Sequence, residues 1–115
     1  MELKPALRAL RQSCGATASA VISRDGLVIA ADLPEGISTE TFAIMCATLM
    51  GAASTANSEL RAGSPRHIIV ESEEAKMVVV GGGRKAIVVA VLGKKGDTTL
   101  ALKRLDEIAE TLKMI

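Results

Sequence analysis

The sequence predicts an α/β (α+β) fold: a three-layer sandwich with a five-stranded antiparallel sheet, one long helix on one face and two terminal helices on the other. The element order is αββαβββα. Three observations lead there. Met77-Val-Val-Val80 and Ile87-Val-Val-Ala-Val-Leu92 are apolar at odd and even positions alike. Side chains of a strand alternate between the two sheet faces, so both faces need cover. The last three strand-like runs are joined by segments as short as Glu73-Glu74-Ala75 and Gly82-Gly83-Arg84, which suit hairpins and hence an antiparallel meander. Strands and helices also lack the regular alternation of a doubly wound parallel sheet. No composition shift, internal repeat or low-complexity stretch divides the 115 residues, and 1–115 reads as one domain.

Taken in order, Pro5 to about Ser13 is an amphipathic helix. Leu3, Leu7 and Leu10 fall on one stripe, and Lys4, Arg8, Arg11 and Gln12 lie elsewhere. Pro5 suits a first turn, and Gly15 suits the stop. Thr17 to Ser23 and Leu27 to Ala31 flank Arg24-Asp25-Gly26, a hairpin signal because glycine readily takes the positive φ of the turn. Ser38 caps a long helix from Thr39 to about Arg61, with Glu40 favoured in its first turn, and Gly63, Ser64 and Pro65 end it. Arg66 to Ser72, Lys76 to Gly81 and Lys85 to Leu92 are the remaining strands. A last helix begins at the cap residue Asp97. It carries Leu102, Leu105, Ile108, Ala109 and Leu112 inward, with Lys103, Arg104, Glu107 and Glu110 on the wet side.

Composition narrows the function classes. Hydrophobic residues make up 49% of the chain, yet it holds one Phe and no Trp or Tyr. Fourteen Lys and Arg against 13 Asp and Glu leave a net charge of +1, too even for a basic nucleic-acid-binding face. No apolar run suits membrane insertion, and Met-Glu-Leu-Lys-Pro lacks a signal-peptide core. Two cysteines do not make a disulfide scaffold, so a cytoplasmic location is expected.

Catalytic signals are weak. The single histidine, His67, sits in a strand-like run beside Ile68 and Ile69, with no G-x-S-x-G element in the chain. Cys14 and Cys46 belong to no metal-binding spacing. Glu71, Glu73 and Glu74 read as a solvated hairpin tip. Gly81-Gly82-Gly83 leads into a strand, whereas a phosphate cradle needs a helix N-terminus. Gly93-Lys94-Lys95-Gly96-Asp97 does lead into a helix, but it misses the P-loop spacing and places a carboxylate where phosphate would sit. The expectation is a non-enzyme without cofactor or metal, and a small-ligand or phosphate sensor using this loop is the alternative.

The middle helix is the most informative segment. Phe42, Met45, Leu49, Ala53, Ala56 and Leu60 form one stripe, sufficient to seat it on the sheet; Ala43, Cys46, Ala47, Met50 and Ser54 form a second. Projection alone leaves open which of them faces the sheet. No Lys or Arg occurs between Thr39 and Leu60, although a helix with one buried face ordinarily carries charges on the other. A small, uncharged outer side permits another backbone to approach closely, most economically that of a second copy across a two-fold axis.

The hairpin Ser23-Arg-Asp-Gly-Leu-Val-Ile-Ala30 follows a first helix, and the Ala-rich helix ends in Glu59-Leu60-Arg61-Ala62-Gly63. Together with His67-Ile-Ile-Val-Glu71 before two further apolar strands and a final helix, they resemble the Roadblock domain family. That family includes roadblock-type dynein light chains and prokaryotic MglB regulators. The likeness spans essentially the whole chain in order and spacing. It implies a non-catalytic adaptor or regulator that dimerises by pairing middle helices and adjacent edge strands into a continuous sheet. It further implies a Ras-like small GTPase as partner, regulated by binding one nucleotide-linked conformation. Carried onto this chain, the interface is expected at Phe42, Ala43, Cys46, Ala47, Met50 and Ser54, with Ile68 and Val70 on the edge His67 to Glu71. A purely structural dimerisation scaffold is the other reading. Long terminal extensions are lacking, so tail-dependent functions are not expected.

Overall fold

Strand pairing sets the architecture. In the computed structural model, which describes residues 2–114, five strands form one antiparallel sheet. They are β1 (Ala16–Ser23), β2 (Val28–Asp32), β3 (His67–Glu71), β4 (Ala75–Gly82) and β5 (Ala86–Gly93), in the spatial order β2-β1-β5-β4-β3. The continuous apolar runs occupy inner positions: β5 pairs with β1 from Ser19↔Ala90 to Ser23↔Ala86, and with β4 from Ala75↔Gly93 to Gly82↔Ala86.

Alternation splits the core into two layers. Val21, Val78, Val80, Val88 and Leu92 point to one face and pack with Leu7 and Leu10 of α1 (Leu3–Cys14) and with Ala101, Leu105, Ile108 and Leu112 of α3 (Thr98–Leu112). Ala20, Ile22, Val79, Ile87 and Val89 point to the other and meet α2 (Thr39–Glu59). This is the three-layer sandwich in the order αββαβββα. Such a fold absorbs strands that are apolar on both faces within one chain.

Local chemistry explains the element ends. Gly15 takes φ 71° and closes α1 with its N–H on the Leu10 carbonyl. Asp97 accepts from the Thr99 and Leu100 N–H groups at 3.0 and 3.2 Å and starts α3. α1 begins at Leu3, the first residue of its apolar stripe and two residues before the expected start at Pro5. Gly26 turns the β1–β2 hairpin at φ 94°, and a Cβ there would stand 3.3 Å from Ile44. The hairpin tip therefore rests directly on α2. At the far end of β2, the half-buried ion pair of Asp32 with Arg11 (2.7 Å from Nε) ties the strand to α1 and raises the guanidinium pKa.

Candidate interaction surface

Ser38 starts α2 by accepting the Thr41 N–H at 3.3 Å. Below it, Ala43, Cys46 and Met50 are buried against Ile22, Val79, Ile87 and Val89, Phe42 and Leu49 flank them half-buried, and Ala47 is buried as well. Of the expected interface residues, Ala43, Cys46, Ala47 and Met50 thus lie in the core of the single chain. The reason is size complementarity. Branched Ile and Val fill the sheet surface, so the helix approaches on its smallest stripe. Burial pushes the Cys46 thiol up to about 11, since an apolar layer disfavours the thiolate.

Exposed on its outer side are, among others, Thr41, Ile44, Met45, Thr48, Gly51, Ala52, Thr55 and Ala56. Ile44 and Met45 are 49% and 55% exposed. From Thr41 to Ser58 the helix carries no charged side chain, and beyond Met50 none of its residues is fully buried. Gly51 to Ser58, about two turns of uncharged helix, is thus exposed or only half-buried. Ser54, half-buried, lines a depression of about 400 Å³ at that end with Ser58 and Arg61. Arg61 closes the helix at φ 54°, a left-handed conformation usually left to glycine, with the Ala62 N–H returning to Asn57 at 2.9 Å.

β3 supplies the second part. It is an edge strand, hydrogen-bonded to β4 alone. Ile68 and Val70 are half-buried on the face that α2 shares, opposite Val79 and Met77, and Ile69 is 37% exposed on the other face. An open edge this apolar invites another strand. Its ends differ in charge, with Arg66 before it and Glu71, Glu73 and Glu74 after.

Among the described residues, no group of three His, Cys, Asp or Glu side chains is arranged to hold a metal, and no helix is long and apolar enough to cross a membrane. The loop from Gly93 to Thr99 is likewise unsuited to phosphate, because the Asp97 carboxylate already occupies the first N–H groups of α3.

Comparisons agree with this architecture. The Roadblock/LC7 domain family model matches residues 4–92, from the first turn of α1 to Leu92 of β5. An uncharacterized protein of Methanocaldococcus jannaschii is 31% identical over 100 residues, spanning 85% of this chain and 88% of its own. Among solved structures, the Roadblock/LC7 domain from Streptomyces avermitilis superposes with a TM-score of 0.89 at 18% identity, covering 99% of this chain and 97% of its own. An MglB with a tetrameric arrangement gives 0.86 at 20% identity, covering 96% and 84%. At these identities the structures establish the fold.

Proposed function

The chain belongs to the Roadblock/LC7 domain family, and from that premise we propose that it works as a non-catalytic homodimeric adaptor that binds and regulates a Ras-like small GTPase. The observation that carries the reading is the uncharged outer length of α2, from Thr41 to Ser58, left without cover in the single chain. A second copy laid antiparallel on it would cover Met45, Thr48, Ala52 and Thr55 against their own equivalents. The same two-fold axis would join the β3 edges, and there the charge pattern supports antiparallel pairing. It opposes the Arg66 end of one strand to the Glu71 end of the other, whereas parallel pairing would set like charges side by side. Self-association is also consistent with the tetrameric MglB of the same fold.

A dimer of this kind presents one broad surface built from both middle helices, and the GTPase is the partner that the family resemblance implies. Regulation then follows from differential affinity. If the surface fits one nucleotide-linked GTPase conformation better, binding shifts the population toward it by the ratio of the two affinities. Light scattering coupled to size exclusion at tens of micromolar tests the first half, with a dimer mass expected and a monomer refuting it. Titration of a Ras-like GTPase encoded in the same genome, loaded in turn with GDP and a non-hydrolysable GTP analogue, tests the second. Affinities differing at least about tenfold are expected; equal affinities and unchanged hydrolysis at saturation would leave only a scaffold.

A further inference from the structure

A different part of the molecule collects positive charge in a concave wall. At the end of the sheet where β3 starts and β4 finishes, a cavity of about 330 Å³ is lined by Arg24, Arg66, Arg84 and Lys113 around the bare backbone of Gly81. Among the described residues, Asp106 is the one carboxylate in its lining. These cations come from four separate places: the β1–β2 turn, the approach to β3, the β4–β5 turn and the end of α3. Only the closed fold brings them together.

Arg24 is fixed in place. Its guanidinium donates to the Gly83 carbonyl at 2.5 Å, 59 residues away, and lies over Gly81, where a Cβ would stand 3.0 Å from the nearer nitrogen. A glycine at 81 is what lets the guanidinium lie on the strand. Among the described residues, no carboxylate pairs with Arg24, Arg66 or Arg84. Partial burial pulls the Arg24 pKa below its ordinary value, because its charge loses water without gaining an anion in return. A cation held in a cleft at this cost is an incomplete arrangement of charge.

We propose that this cavity is a binding site for a small phosphorylated ligand, one presenting two or more phosphate groups. Lys113 already pairs with Glu110 at 2.9 Å, so the three unpaired guanidiniums against Asp106 leave an excess of two positive charges, which suits a polyanion better than a single carboxylate. Planar guanidinium forks, three of which line this cavity, match the geometry of phosphate oxygens. The lining includes no aromatic side chain to stack a nucleobase, so the recognised part is the phosphate itself. The volume is at the small end of ligand sites, adequate for a diphosphate group and its immediate attachment.

Isothermal titration of the full-length protein with inorganic pyrophosphate, in low-salt buffer, is the direct test. Saturable binding is expected, weakened at least about tenfold in Arg66→Ala and in Arg84→Ala, each of which removes an exposed side chain and leaves the fold intact. Arg24→Lys keeps the charge but loses the fork, and is expected to weaken binding as well. The double variant Lys94→Ala, Lys95→Ala, on the β5–α3 loop outside the cavity, is expected to bind as the wild type does. No saturable binding, or equal losses in the cavity and loop variants, would overturn the proposal. So would binding of a short polyglutamate peptide where pyrophosphate fails, which would reassign the cavity to an acidic protein segment.

Discussion

At the scale of single residues, two small residues report on close packing. Cys46 is a buried thiol held up to about 11, against an ordinary value of 9.0. The folded chain therefore retains this proton over a range where the unfolded chain has lost it. That contribution is fully present below about pH 9 and is lost as pH rises through about 11. In urea titrations across that window, the stability of the wild type should fall more steeply than that of Cys46→Ala. Near pH 8, native Cys46 should react with a thiol reagent about a hundredfold more slowly than in denaturant. Gly82 is the second case. A Cβ there would stand 2.9 Å from the Leu112 side chain and 3.6 Å from the Ala109 backbone. Gly82→Ala should push α3 off the sheet and cost about 1–3 kcal/mol by urea denaturation. Gly93→Ala, with nothing within 4 Å, should change stability by less than about 0.5 kcal/mol.

At the scale of elements, α2 divides into an inner and an outer stripe that answer differently to the same substitution. Met50→Asp places a carboxylate at a position 1% exposed with no cation beside it in the core layer, and should cost more than about 3 kcal/mol, seen as loss of cooperative melting. Met45→Asp, at 55% exposure, should leave the melting of the isolated chain nearly unchanged and shift the light-scattering mass toward monomer. The sequence disclosed the existence and order of every element, because periodicity, caps and turn residues are local signals. Ser38, Asp97, Gly15 and Asp25-Gly26 each act within a few residues of where they stand. It did not disclose the rotation of α2. Judging by hydrophobic size seats Phe42, Met45 and Leu49 inward, but the fit depends on the bulk of Ile22, Val79 and Ile87, which lie on other strands. The basic cavity was hidden for the same reason, since Arg24 and Gly83 meet only through the sheet.

At the scale of the molecule, the two helical layers differ in weight. α3 supplies Ala101, Leu105, Ile108, Ala109 and Leu112 to one core layer, over Val78, Val80, Val88 and Ala90. A chain ended after Gly96 should therefore bind a hydrophobic dye and unfold without a sharp transition, even though all five strands are retained. The two borders of the sheet differ as well. β3 is regular and apolar, whereas β2 carries an extra residue, Ile29, where Val21 and Ile22 pair with Ala30 and Val28, and it finishes on the inward carboxylate of Asp32. Such a bulge twists an edge out of line, and an inward charge stops a strand from being extended. Joined at β3, two copies would present only these blunted borders to solution. In the proposed dimer the fold would supply its own terminator: growth of the sheet would end at ten strands, and the assembly would count to two without running on into a fibre.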